Sequence, residues 1–200
     1  MKSYLLSTAA VVAILAATPA FATDHYASTT GSDSSQACTL SLPCKTITKC
    51  ERISMPGDNC LVKGGTYFET VVMFAAGTMD NPIVVKPFDS TPVIIDGSGG
   101  AIGTDTVDVG VSYITLSGFE IKGGKRDDVR VFNGAVGVIV DGNNIHDGAK
   151  HNVLIYDGAA AIINNTISVG AHALVLTFDS ITTCTGLSSC IAGVSVSTNK

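Results

Sequence analysis

The densest run of reactive side chains is Lys122, Lys125, Arg126, Asp127, Asp128 and Arg130, followed by His146, Asp147, Lys150 and His151. Such cations neutralise a carboxylate, an imidazole or amine takes up a proton, and clustered carboxylates hold a hard cation such as Ca2+. The two groups are one repeat apart, for Lys150 and His151 lie 24 residues beyond Arg126 and Asp127, and Asp147 lies 24 beyond Gly123. In a stacked coil, basic, acidic and imidazole groups would therefore meet along one corner. A plainer account competes for each residue. Corners of a stacked fold are solvated, and charge ordinarily collects there. Asp127 and Asp128 are adjacent, and neighbours in a strand point to opposite faces. His146 follows Ile145, an inward position, and could bond only within its own turn. His25 and His172 are weaker candidates, and no metal triad or Ser-His-Asp constellation has an informative spacing.

What positions these residues is an internal repeat. The run from Ile114 to Ile121 matches the run from Val138 to Ile145 at an offset of 24, and Ala160, Ile162, Asn164, Asn165, Thr166 and Ile167 follow 22 residues later. Val129 and Val131 fall 24 residues before Val153 and Ile155, and 22 after Val107 and Val109. A fixed period of this size marks a solenoid. Each period holds short apolar runs with alternating positions and many β-branched residues, and helical spacing is not sustained. With Val129 and Val131 inward, Arg130 points outward beside Leu154. Three strands per turn, stacked at ~4.8 Å, predict an all-β, single-stranded parallel β-helix of 22–24 residues per coil. Gly118, Gly142 and Asn164 form a column where the chain must bend, and Gly and Asn tolerate the left-handed conformation needed there. Beside it Asn143 falls over Asn165. This predicts an inward amide ladder, against the plainer view that Asn is common in turns.

The chain has 200 residues, which suits one domain. With 14% charged and 46% hydrophobic residues, 21 Gly and no Trp, its core should be a stack of small aliphatics. A net charge of −5 gives no electrostatic case for nucleic acid or an anionic membrane. It also weighs mildly against a strongly anionic ligand unless a local basic patch overrides it. Residues 1–22 have the form of a signal peptide, with Lys2, the apolar run Ala9–Ala17 and the small-x-small site Ala20-Phe21-Ala22. That run is short for a membrane anchor, and no later segment is long and apolar enough to span. A secreted or periplasmic monomer is expected, beginning near Thr23. Six cysteines beyond the leader fit an oxidising compartment. Proximity favours Cys38–Cys44, Cys50–Cys60 and Cys184–Cys190. A zinc site competes, but the spacings are wider than CxxC knuckles and no His lies near the first cluster.

Along the chain, His25–Ser28 alternates like an edge strand. From Pro43 to Met55, the residues Ile47, Cys50 and Ile53 keep helical spacing, and Pro56-Gly57 ends the segment. A short amphipathic helix there would cover the open end of the first coil, as terminal repeats of stacked folds require. Residues 23–60 are thus expected to form a disulfide-rich cap, and 61–200 the β-helix. Asn81-Pro82 and Thr91-Pro92 mark corners, Gly97–Asp105 is a loop leaving the stack, and Ala173–Leu176 is one more strand. Beyond Ser180 the pattern decays. Either a loop stapled by Cys184–Cys190 covers the last edge, or the chain is truncated.

Four phrases carry a resemblance: His25 to Asp33, Cys44-Lys45-Thr46-Ile47, Pro56-Gly57-Asp58 and Val62 to Tyr67. They resemble the N-terminal region of secreted right-handed β-helix proteins of the pectate-lyase-like superfamily, relatives of chondroitinase B and alginate lyase among them. Asn81 to Pro87, Pro92 to Gly97 and Asn143 to Asp147 continue the similarity, to about Ser168. These phrases are specific for fold and capping and less so for reaction, since lyases, hydrolases, epimerases and proteins without assigned activity share them. The resemblance implies an acidic polysaccharide as partner and β-elimination at a uronic acid. Such a reaction neutralises the sugar carboxylate with Ca2+ or with Arg and Lys, and removes the adjacent carbon-bound proton with a Lys, Arg or His base. Carried onto this sequence, Arg130 or Lys150 is the base, with His146 a third catalytic candidate. Lys122, Arg126 and His151 would bind substrate, and Asp127, Asp128 and Asp147 would supply carboxylates to Ca2+. The alternative is a non-catalytic glycan-binding or cell-surface β-helix. An ice-binding face is disfavoured because no column of Thr-x-Thr occurs, and the sequon at Asn164 is read as structural.

Overall fold

A computed structural model describes residues 22–168 and the strands Leu174–Leu176 and Ser195–Ser197. Most of the expected leader and the Cys184–Cys190 pairing lie outside the described residues.

The chain opens with β1 (Asp24–Ala27) and α1 (Ile47–Arg52), then winds through strands taken in turn from three sheets. The first coil is β2 (Asn59–Val62), β3 (Gly65–Tyr67) and β4 (Val71–Met73), and the second is β5 (Ile83–Pro87), β6 (Val93–Asp96) and β7 (Val107–Val109). Next come β8 (Ile114–Ser117), β9 (Glu120–Lys122) and β10 (Asp127–Val131), then β11 (Ala135–Asp141), β12 (Asn144–His146) and β13 (His151–Ile155). Last are β14 (Gly158–Ile163), β15 (Thr166–Ser168), β16 (Leu174–Leu176) and β17 (Ser195–Ser197). The first sheet runs β1-β2-β5-β8-β11-β14, the second β3-β6-β9-β12-β15-β17 and the third β4-β7-β10-β13-β16, with every described pairing parallel. This is the β-solenoid that the repeat predicts.

Each sheet contributes an aliphatic column to the core. Val85, Leu116, Val140 and Ile162 stack in register from the first sheet, and all are buried. Ile95, Ile121, Ile145 and Ile167 do so from the second, and Val71, Val107, Val129 and Val153 from the third. Burying each such side chain contributes about 1.5–3 kcal/mol before the entropy of ordering the chain is subtracted.

Between the first and second sheets the chain turns through Gly118, Gly142 and Asn164, with φ of 80°, 64° and 55°. The predicted amide ladder stands beside them. Asn143 Oδ1 accepts from Phe119 N at 2.9 Å, and Asn143 Nδ2 donates to Leu116 O and to Asn165 Oδ1, both at 3.0 Å. Asn165 Oδ1 also accepts from Asn143 N at 2.8 Å, and its amide donates to Val140 O at 2.7 Å. Buried backbone groups at a sharp bend have no ladder partner, so the amides supply one.

The helix covers the first coil through Ile47 and Cys50, both buried. It is shorter than the amphipathic segment suggests because flanking amides bond to carboxylates. Asp33 takes the N–H of Lys45 and Thr46, and Asp58 takes that of Met55. Thr46 caps the helix, its Oγ1 accepting from Lys49 N at 3.1 Å. Glu69 accepts from Ile47 N at 2.8 Å, and the buried Glu51 accepts from Phe74 N and Ala75 N at 2.9 Å each. Two carboxylates thus pin α1 to the first coil, as does the disulfide Cys50–Cys60, while Cys38–Cys44 closes the loop before the helix.

Candidate functional site

The third sheet departs from simple alternation where β10 begins, for Asp127, Asp128 and Val129 are all buried. Asp128 serves the turn before it. Its Oδ1 accepts from Gly124 N at 2.9 Å and lies 3.3 Å from the Thr106 hydroxyl. One coil later Asn152 Oδ1 accepts from Gly148 N at 3.0 Å. Both turns press on the strand that follows: a Cβ at Gly124 would lie 2.1 Å from Asp127 O, and one at Gly148 would lie 2.4 Å from His151 O. Burial pushes the Asp128 carboxyl up to about 8 although these hydrogen bonds favour its ionised form.

The neighbouring column is Asp105, Asp127 and His151, one residue per coil. Arg126 forks onto Asp105, with Nε 2.7 Å from Oδ1 and the Nη2–Oδ2 contact alongside, while Asp127 N donates to Oδ1 at 3.1 Å. Burial would raise the Asp105 carboxyl, but Arg126 outweighs it and holds the group below its ordinary value. Asp127 Oδ1 lies 2.7 Å from His151 Nδ1, and its Oδ2 lies 3.3 Å from Arg126 Nε.

Asp108 of β7 pairs in register with Arg130 of β10. Its carboxyl is pushed up to about 7 by burial, by a hydrogen bond shared with Asp105 and by the Asp105 charge. Arg130 reaches Asp105 Oδ2 at 3.9 Å and holds its guanidinium 4.7 Å from the centre of the Phe132 ring and 5.6 Å from that of Tyr156. The outer face of the third sheet is therefore a fixed network of carboxylates, guanidinium groups and an imidazole.

Solved structures share this architecture. An alginate lyase from Paenibacillus sp. str. FPU-7 superposes with a TM-score of 0.63 at 18% identity, over 88% of this chain and 58% of the lyase. The pectate lyase Pel9A gives a TM-score of 0.61 at 17% identity, over 74% and 40%, and a rhamnogalacturonan lyase gives 0.57 at 19%, over 87% and 50%. The fold is that of the pectate-lyase-like parallel β-helices. At these identities the likeness is one of fold, and the chain spans about half the length of the lyases it matches. No family model matches the sequence, and neither does any curated protein.

On this pectate-lyase-like frame the expected site residues divide between two sheets. Arg126, Asp127, Arg130 and His151 come together on the third sheet, with exposed Lys150 beside them through Lys150 N to Arg126 O. Lys122, His146 and Asp147 belong to the second sheet and its following corner. There Glu120 Oε1 lies 3.4 Å from both Lys122 Nζ and His146 Nε2. His146 Nδ1 bonds Asp147 Oδ2 at 2.9 Å, so this imidazole links its own turn to Glu120 of the preceding coil. Asp147, at φ 67°, occupies the corner equivalent to Gly123 at φ 74°.

The carboxylates expected to bind Ca2+ have separate protein partners. Asp127 is bound up with Arg126 and His151, Asp128 with the Gly124 turn and Asp147 with His146. The three carboxylates do not converge, and among the described residues no group of three or more His, Cys, Asp or Glu is arranged to hold a metal ion. Sequence reasoning also passed over Asp105 and Asp108, which the 22-residue offset applied to Asp127 and Arg130 would have found.

Proposed function

We propose that the chain acts on an acidic polysaccharide, cleaving it by β-elimination beside a uronic acid. The observation that carries this reading is Arg130, held by Asp105 and by two aromatic rings on the outer face of the third sheet, with exposed Lys150 at the corner before β13, beside Arg126. Support comes from neighbours that are lyases of alginate, pectate and rhamnogalacturonan. A guanidinium is always charged and matches a carboxylate bidentately, so Arg130 suits neutralisation better than proton abstraction. Lys150, in its neutral form, takes the proton from the carbon next to the carboxylate. That electron pair becomes the new carbon–carbon double bond, the glycosidic carbon–oxygen bond breaks, and the departing oxygen takes a proton from water.

Incubation with pectate, alginate and chondroitin, with and without Ca2+, tests this. The unsaturated sugar ends should raise the ultraviolet absorbance, and Arg130→Ala and Lys150→Ala should each abolish most of the rise. Flat traces on all three substrates overturn the reading. A glycan-binding β-helix without chemistry is the second reading, favoured by the internal pairing of Arg126 with Asp105 and of Asp127 with His151. Flat traces with retained glycan binding select it.

A further inference from the structure

Thr23 stands one residue before β1, and its backbone is fastened on both sides. Its N–H donates to Asp58 Oδ1 at 2.7 Å, and its carbonyl accepts from Asn59 N at 2.9 Å. Asp58 is only 6% exposed, and its Oδ2 accepts from Met55 N at 2.8 Å. Its ion-pair partner is His25, whose Nε2 lies 3.3 Å from the same oxygen. His25 Nδ1 lies 3.0 Å from Ala37 O, which can only accept. A neutral imidazole carries one N–H, so it serves Ala37 or Asp58 but not both. Nearby Asp24, whose Oδ1 accepts from Asn59 Nδ2 at 2.8 Å, adds a second negative charge. Among the described residues, Asp58 therefore has no permanently charged cation beside it, and a buried carboxylate in that position is costly. The backbone nitrogen aimed at it is the first one after the small-x-small run Ala20-Phe21-Ala22, and both Ala22 and Thr23 are exposed.

We propose that the Ala22–Thr23 bond is a processing site, and that the α-ammonium group released at Thr23 seats on Asp58 as its missing cation. A leader peptidase catalyses the step and water supplies the atoms. The bond from the Ala22 carbonyl carbon to Thr23 N breaks, Ala22 departs as a carboxylate, and Thr23 N becomes an ammonium near neutral pH. The nitrogen already stands 2.7 Å from Oδ1, so the cut turns an amide hydrogen bond into a charge-assisted one at the position the amide holds. The register is specific. A cut one residue earlier puts the ammonium on Ala22, and a cut one residue later discards the carbonyl that Asn59 holds. Through Asp58 the new terminus is tied to Met55 beyond α1, and through Asn59 to β2. Loss of the leader thus locks the cap over the first coil, and the uncut chain is the looser form.

The full chain, expressed with its own leader in an exporting bacterial host, should yield a protein whose intact mass and N-terminal sequence begin at Thr23. The oxidised mature chain is then compared with a chain that retains Ala22, each with and without Asp58→Asn. Retaining Ala22 should lower the thermal midpoint by about 3 °C. In the Asp58→Asn background, which keeps the shape of the side chain and removes its charge, the two chains should melt together. If Asp58→Asn does not fold, titration of the Thr23 α-amine in the mature chain decides. With Asp58 in contact and Asp24 and His25 the other titratable groups close by, the amine should hold its proton above the ordinary value of about 8. A different first residue overturns the proposal, as do equal midpoints with and without Ala22. So does a loss of the same size in both backgrounds, or an α-amine that titrates at or below its ordinary value.

Discussion

Asp127 and His151 face each other across one coil, Oδ1 to Nδ1 at 2.7 Å, with Arg126 closing on the other carboxylate oxygen. Their side chains are buried, so the pair has little water to fall back on. Asp127→Ala removes the partner of both groups and is expected to cost about 2–4 kcal/mol. Urea unfolding at pH 7 should show a lower midpoint at an unchanged slope. A wild-type midpoint would mean that the column is decorative.

The amide ladder should be as sensitive. Asn143→Ala leaves Phe119 N and Leu116 O without partners in a buried bend, at about 3 kcal/mol. Asn144→Ala, one residue on and exposed, should change stability by under about 0.5 kcal/mol. Equal losses in the two variants would remove the ladder from the account of the fold.

That ladder was legible in the sequence, and the third-sheet corner was not, for a physical reason. Asn143 and Asn165 lie within strict repeats, so an offset places them and the flanking Gly142 and Asn164 identify the bend. Asp127 and Asp128 lie where β10 enters its sheet, and strand alternation does not describe two buried neighbours with separate partners. Asp105 ends the Gly97–Asp105 excursion and Asp108 follows it, and that irregularity hid the 22-residue relation to Asp127 and Arg130. The period relates His146 and Lys150 to the coil before them, but period alone does not tell which sheet a side chain serves. The helix was legible as a segment and not in its ends, which Asp33 and Asp58 decide from outside it.

Stability should fall as pH rises through neutrality. Glu51 and Asp108 are pushed up to about 7 and Asp128 to about 8, each by burial first, from ordinary values of 4.5 for Glu and 3.8 for Asp. Folded protein then holds protons that unfolded chain releases, so their contribution is complete below about pH 4 and lost by about pH 8. Asp58 and Asp105 have the opposite sign: their lowered carboxyls lose stability only as pH falls below the ordinary value of 3.8. The thermal midpoint should drop by roughly 5 °C or more between pH 5 and pH 8, and less steeply in Glu51→Gln. A midpoint that climbs across that window contradicts the assignment.

Arg130 and Lys150 should fail differently if the chain is a lyase. Arg130 is fixed by Asp105 and by two ring faces before any sugar arrives, so the orientation of its fork is already set. Arg130→Lys keeps the charge but loses the planar fork and the stacking. Its kcat/KM is expected to fall about tenfold to a hundredfold, with a raised KM, because the ammonium contacts the carboxylate in both ground and transition states. Lys150 is exposed, and a base acts only as the proton moves. Lys150→Ala should therefore lower kcat by about a hundredfold or more with KM nearly unchanged. Steady-state kinetics on the substrate that gives product separates the two. A Lys150→Ala variant with normal kcat and raised KM would reverse their roles, making Lys150 the carboxylate clamp.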